Sequence, residues 1–334
     1  MSHPVIDVVY TWVDGFDPKW QKLKNHYMEL EGLTPDSNDQ ELGDELRHRH
    51  MNEIVYAIRS ARRYAPWIRT IFVLLADGQK PPAEVLAVPG VVVVPHSAFI
   101  PAEVLPTFSC RTIEAFMHRI PGLSEVFIYG NDDYLFWKPT PPSYFVTDDR
   151  LVLRGYFQPQ FLARLGLLRK GHMKVANRTA LMLYGRGFDR VFMPEHCYHV
   201  LRKSTCERVW EELHDEITAA IAGKFRDENR EFWWQLLIYA YEDKLHQPIH
   251  ERSLGKVHLS FSEVDHSRIM SAYVQSRLLM LSRFPDHTVC FNTIPASWYD
   301  RMHRYFEMHL DGKTPPIADV MRLLRSNSGN HATA

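Results

Sequence analysis

Cysteine is scarce: Cys110, Cys197, Cys206 and Cys290 are the four in 334 residues, and none forms a C-x-x-C pair. That spacing argues against a structural zinc ribbon and a disulfide-stapled scaffold, so reduced thiols in a cytosolic compartment are expected. Excess charge of one sign is also missing. Lys+Arg number 39 and Asp+Glu 40, a formal net charge of −1, so no bulk positive field draws nucleic acid or an anionic membrane. No apolar run approaches the roughly 20 residues that span a bilayer. Met1-Ser2-His3-Pro4 lacks the basic start and apolar stretch of a secretory signal. Repeats and low-complexity tracts are absent as well. What remains is an ordinary globular composition, 45% apolar and 24% charged, expected in the cytoplasm. The length suits one large or two ordinary domains. The 18 histidines are scattered, which makes surface or core the default reading of each.

The most informative stretch is Val126-Phe127-Ile128-Tyr129-Gly130-Asn131-Asp132-Asp133-Tyr134-Leu135-Phe136. A short apolar run, too brief for a helix, stops at an amide and two adjacent carboxylates. In an open α/β sheet, ligands sit at the carboxyl ends of the strands. Two carboxylates there suit a hard divalent cation that also contacts phosphates. The plainer alternative is a strand followed by an Asx-turn.

The rest of the first half has matching rhythm. Val5 to Tyr10 reads as a buried strand interrupted by Asp7, ending in Thr11-Trp12-Val13-Asp14-Gly15. Trp12 there can flank a nucleotide base and Asp14 can hold ribose hydroxyls or metal; a loop anchored by a buried Trp is the competing reading. Residues 32–43 are polar and acidic and read as a loop, a candidate lid. From Arg47 the apolar positions Ile54, Ile58, Ala61 and Ala65 follow helical spacing until Pro66. Arg47, near the start, is placed to meet a phosphate with its planar fork. Ile71–Leu75, ending at Asp77, and Val91–Val94 are further strands, and a helix runs from Arg111 to Arg119. Alternating strands and helices predict a mostly parallel sheet covered on both faces, an α/β fold.

After Pro142 the character changes. Residues 151–190 are rich in Arg, Leu and aromatics with glycine interruptions, Met193-Pro194-Glu195-His196 leads into a helix, and Glu231–Leu245 is a helix heavy in aromatics. That stripe reads as core. Val289–Ile294 reads as a short strand, Ser297–Leu310 as a helix, and residues from Ser326 as a disordered tail. The expected division is 1–150 as an α/β core, 151–325 as a helix-rich part completing the site, and 326–334 as tail.

Four separated segments resemble the Stealth family of sugar-1-phosphate transferases, which includes bacterial capsule polymerases and the catalytic subunit of the lysosomal-enzyme GlcNAc-1-phosphotransferase. The first is Ile6-Asp7-Val8-Val9-Tyr10-Thr11-Trp12-Val13-Asp14-Gly15 with Asp17-Pro18. The second runs from Asn52-Glu53 through Tyr64-Ala65-Pro66-Trp67, Asp77-Gly78-Gln79, Leu105-Pro106-Thr107-Phe108-Ser109 and His118-Arg119-Ile120-Pro121-Gly122 to Asn131-Asp132-Asp133. The third is Met193-Pro194-Glu195-His196 followed by Arg226, and the fourth Val289-Cys290-Phe291-Asn292. Two departures stand out: Thr293 occupies a position where many members keep Asp, and Glu53-Ile54-Val55 stands where Glu-Leu-Arg is common.

The resemblance implies a GT-A-like nucleotide-sugar transferase core. It also implies transfer of a hexose or N-acetylhexosamine 1-phosphate from a UDP-linked donor such as UDP-GlcNAc to a glycan hydroxyl. Nucleoside monophosphate leaves, and the setting is capsule or exopolysaccharide synthesis. Asp132 and Asp133 would hold Mg²⁺ or Mn²⁺, His196 would be the base, and Arg226, with Arg47 or Arg119, would stabilise phosphoryl charge. Trp12, Asp14, Asp77, Asn131 and Asn292 would contact substrate. A bacterial member with a surface-glycan acceptor would work peripherally at the cytoplasmic face of the membrane. Two alternatives stay open: a metal-dependent glycosyltransferase that releases nucleoside diphosphate, and a non-catalytic glycan-binding protein on the same scaffold.

Overall fold

The computed structural model describes residues 4–33, 51–165, 171–252, 258–261, 264–311 and 315–325. Arg47, most of the candidate lid and the tail from Ser326 lie outside the described residues.

Strand β1 (Ile6–Thr11) is central, because every one of its residues except Thr11 is buried. It pairs in parallel with β2 (Ile71–Leu75), which pairs with β3 (Val91–Pro95), and on its other side with β4 (Val126–Asn131). The short β5 (Tyr134–Phe136) follows β4 after a two-residue turn. The register sets Thr11 opposite both Leu74 and Asn131, so the carboxyl ends of these strands form one edge. β-Branched and aromatic runs such as Ile-Phe-Val-Leu-Leu suit strands buried on both faces. The expected mostly parallel sheet with flanking helices and a helix-rich C-terminal part is the architecture observed.

Helix Glu53–Tyr64 stops just before Pro66, as its sequence requires. The Arg111–Arg119 stretch is α-helical from Cys110 to Phe116 and closes in a 3₁₀ turn at Met117–Arg119. Helix Trp234–His246 buries Trp234, Tyr239 and Tyr241, so its aromatic stripe is core.

The second half adds further strands, of which only the last matches a strand expected from the sequence, at Val289–Ile294. These are β6 (Val146–Thr147), β7 (Arg150–Gln158), β8 (Val191–Pro194), β9 (His199–Arg202), β10 (Ile249–Glu251), β11 (His258–Ser260) and β12 (Thr288–Asn292). β7 pairs with β6, β8 and β10 in a second sheet. β9 runs antiparallel to β4 and becomes the fifth strand of the main sheet. β12 pairs antiparallel with β5 and parallel with β11. One continuous apolar core runs through both halves of the chain. Among the described residues no helix is long and apolar enough to cross a membrane.

Asp7, the one charge inside β1, is fully buried. Its carboxylate accepts from Arg69 Nε at 2.9 Å, Arg69 Nη2 at 2.5 Å, the Thr70 amide at 3.1 Å and the Ser124 amide at 2.8 Å. It ties together the edge opposite the Asn-Asp-Asp turn. Asp7→Ala strands those donors and should cost about 2–4 kcal/mol. Urea unfolding checks this, and a midpoint unchanged from the parent refutes it.

Candidate active site

The carboxyl edge of the main sheet collects three acidic side chains from two segments. Asp132 and Asp133 form the turn between β4 and β5, so both leave the sheet at its ligand-facing edge. Glu53 opens the helix that packs under β5. Asn52 before it adopts a left-handed backbone (φ 63°), a conformation that asparagine tolerates better than most residues. The Glu53 side chain is thereby buried, accepting from the Met51 amide at 2.7 Å.

These carboxylates oppose one another. Burial pushes Glu53 up to about 7, and the Asp133 charge adds to it against the pull of the Glu53 and Met51 amides. Burial also raises Asp132 well above the usual carboxylate range, joined by the charges of Glu53 and Asp133. Asp133 is pushed up to about 6 by burial, while hydrogen bonds from Asn292 and Cys290 hold it lower than burial alone would. Among the described residues no basic side chain offsets the rise at any of the three. A cluster of like charges without a neutralising cation is costly to bury.

β12 closes the cluster from above. The Phe291 amide donates to the Asp133 carbonyl at 2.9 Å, which anchors the strand. Asn292 Nδ2 then donates to Asp133 Oδ2 at 3.2 Å and Cys290 Sγ to the same oxygen at 3.4 Å. The other oxygen, Asp133 Oδ1, is buried without a hydrogen-bond partner among the described residues. Such an orphaned carboxylate oxygen fits a hard divalent cation, whose donors are oxygens. The pattern met at Thr293 leaves this contact intact: Thr293 Oγ1 donates to Asn292 Oδ1 at 2.7 Å, fixing the amide so that its nitrogen faces Asp133.

His196 arrives from the loop between β8 and β9. Because β9 is antiparallel to β4, with His199 opposite Tyr129, that loop lies at the same edge as the Asn-Asp-Asp turn. The His196 ring stands edge-on to Tyr134, with centroids 5.4 Å apart. Burial holds its pKa down near 4, with His258 beside it acting in the same direction, so its imidazole is neutral near pH 7. Below it, the Tyr129 hydroxyl lies 2.9 Å from Glu114 Oε1 and 2.8 Å from Asn131 Oδ1. Its single proton serves one of the two at a time. Arg226 meets this polar track from the far side, donating to Cys110 Sγ at 2.7 Å; burial raises the pKa of Glu114, and Arg226 is near enough to offset a small part of that rise.

The structure therefore brings together Asp132, Asp133, Asn292 and His196, with Asn131 adjacent and Arg226 joined through Glu114 and Tyr129. Asp14 and Asp77 share the edge. Asp14 Oδ1 accepts from the Phe16 amide at 2.9 Å, and exposed Asp77 accepts from the Ser97 amide at 3.2 Å and from its hydroxyl. Two assignments need correction. Trp12 is only 5% exposed and belongs to the core, so its ring offers no free face to a base. Arg119 precedes the start of β4, at the end of the sheet away from the turn, and its guanidinium lies 4.5 Å from the Trp210 ring centroid. Nothing local marks Glu53, one acid inside a helical pattern that begins at Arg47 in the sequence; its following an asparagine in the second motif block is the available signal.

The sign of the titration yields a prediction. For carboxyls whose folded pKa exceeds the unfolded value, stability is full below about pH 4 and is lost as pH rises through about 6 to 7. Glu53→Gln should thus raise the melting temperature of metal-free protein at pH 8 by about 2–5 °C, with the gain vanishing near pH 4. A gain equal at both pH values would refute the assignment.

An α/β chain with carboxylates gathered at the carboxyl edge of its parallel sheet has oxygen donors for a hard cation at the edge where ligands of such folds sit. Residues 4–31 match conserved region 1 of the Stealth proteins and residues 47–153 match conserved region 2; the chain belongs to the Stealth family. The capsular polysaccharide phosphotransferase fcs1 of Haemophilus influenzae is 33% identical over 245 residues, covering 69% of this chain and 63% of that one. A capsular polysaccharide phosphotransferase of Neisseria meningitidis serogroup B is 31% identical over 226 residues, covering 66% and 60%. The chain thus spans about three-fifths of these relatives' length. The exopolysaccharide phosphotransferase SCO2594 of Streptomyces coelicolor is 30% identical, covering 75% and 44%. Among solved structures, the galactosyltransferase LgtC superposes with a TM-score of 0.42 at 11% identity, covering 95% of each chain.

Proposed function

We propose that this chain transfers a sugar 1-phosphate from a nucleotide sugar to a glycan hydroxyl in surface polysaccharide synthesis. The observation that carries the reading is the mutually repelling trio Glu53, Asp132 and Asp133, with Asp133 Oδ1 buried and unpartnered, beside a neutral histidine. The names of the relatives support the same chemistry.

Under this reading the acceptor oxygen bonds to the donor's β-phosphorus, the bond from that phosphorus to the bridging oxygen breaks, and nucleoside monophosphate leaves. His196 takes the hydroxyl proton, for which a neutral imidazole is suited. Asp132, Asp133 and Glu53 would hold Mg²⁺ or Mn²⁺, and Asn292 orients Asp133. The bound cation supplies charge neutralisation at the diphosphate. Arg226 lies across the polar track to stabilise phosphoryl oxygens, while Asp14 and Asp77 face the ribose. A UDP-linked hexose or N-acetylhexosamine such as UDP-GlcNAc is the donor proposed, with the enzyme working in the cytoplasm, peripherally at the inner face of the membrane.

The test is donor consumption from a panel of UDP-, GDP- and CDP-sugars with Mg²⁺ or Mn²⁺ and glycan acceptors, with EDTA as control. Metal-dependent release of nucleoside monophosphate is expected. Release of diphosphate would assign the chain to ordinary glycosyltransfer, and glycan binding without consumption of any donor would leave a binding protein.

A further inference from the structure

A second constellation borders the acidic trio. One imidazole nitrogen each of His196 and His258 and the thiol sulfur of Cys290 lie within 4.8 Å of one another. They come from three separate segments: the β8–β9 loop, β11 and β12. The pairing of β11 with β12 sets His258 directly opposite Cys290, and β9's pairing with β4 brings His196 across to meet them. The two histidine rings stand edge to face, their centroids 4.6 Å apart. His258 Nε2 is buried with no hydrogen-bond partner among the described residues, a second independent sign that a ligand belongs there. Cys290 Sγ also lies 3.4 Å from Asp133 Oδ2, supplying a fourth donor.

We infer that His196, His258 and Cys290, with Asp133, form a binding site for a thiophilic divalent cation of the zinc class. Two imidazoles, a thiolate and a carboxylate are a borderline-soft donor set that favours Zn²⁺ over Mg²⁺. Donor atoms about 2.0–2.3 Å from a tetrahedral zinc lie roughly 3.5 Å apart, so the Cys290–Asp133 spacing already fits. The histidines close the remainder by small side-chain rotations. Binding exchanges the Cys290 thiol proton, now directed at Asp133, for the metal: the S–H bond breaks, the proton goes to solvent, and the thiolate bonds the cation. Because Asp133 is shared with the acidic trio, filling this site opposes a hard cation there. It also occupies the nitrogen of His196, a consequence for catalysis that rests on the phosphotransfer reading; the site itself does not.

Cobalt(II) titration of the whole chain tests this, since tetrahedral Co²⁺ with a thiolate ligand has visible d–d bands and a near-ultraviolet sulfur-to-metal band. The expected result is one such site per chain, displaced by equimolar Zn²⁺ and surviving a hundredfold excess of Mg²⁺. Cys290→Ser should remove the sulfur band, and His258→Gln should weaken Co²⁺ at least tenfold. Zinc-edge X-ray absorption on the unaltered chain should show one sulfur and two imidazoles, which guards against a variant that misfolds. An octahedral cobalt spectrum, or a sulfur band that persists in folded Cys290→Ser, would overturn the site. A confirmed cobalt site in a chain that consumes no sugar nucleotide would count against the functional reading alone.

Discussion

Asp133→Asn is expected to lower turnover by about a thousandfold or more, the scale on which removing a charge-stabilising element acts in phosphoryl transfer. The substitution keeps the size of the side chain, so the Phe291 amide still finds the Asp133 backbone carbonyl and β12 stays in place. What it removes is one negative charge from a cluster in which burial and mutual repulsion already hold the pKa values up. Metal-free protein should melt no lower than the parent at pH 8, while the rise in melting temperature on adding Mn²⁺ should disappear. Activity and calorimetry together separate loss of the cation from loss of the fold. Full activity in this variant would remove the basis for the acidic trio as a cation site.

His196→Gln should reduce turnover by about 10²–10⁴-fold, the usual contribution of a positioned base, with little change in Mn²⁺ binding. The pH profile carries further information. Since His196 is held near 4 by burial, it is neutral across the working range and does not set the acid limb of the free enzyme. Glu53 and Asp133, at about 7 and about 6, do. The acid limb of kcat/KM should fall in that interval and move to lower pH as Mg²⁺ is raised, because cation binding competes with protons. A limb that ignores Mg²⁺ concentration would point to a different titrating group.

Parts of this site are legible in the sequence because the signals are local. An apolar run halted by Asn131-Asp132-Asp133 announces a strand end, and the run into Trp12 and Asp14 announces its neighbour. The parallel register that aligns them follows from the alternation of strands and helices. Glu53 is different. Its neighbours give an ordinary helical pattern, and only the left-handed Asn52 and the packing of that helix under β5 carry its carboxylate inward. The closure by β12 is beyond local reading, since 157 positions separate Cys290 from the Asp133 oxygen it meets. β7 was hidden for another reason: Leu151 to Gly155 are all buried, so the alternation that marks a half-exposed strand is missing. Trp12 shows the converse error, where a residue type suited to stacking on a base is spent on the core.

The central claim is that the donor's β-phosphorus ends up joined to the acceptor, and phosphorus-31 magnetic resonance of the acceptor product reads that directly. With a donor that the chain consumes, the account predicts a phosphodiester resonance in the purified glycan and nucleoside monophosphate in the filtrate. A glycan free of phosphorus, with both donor phosphates recovered as nucleoside diphosphate, would contradict it.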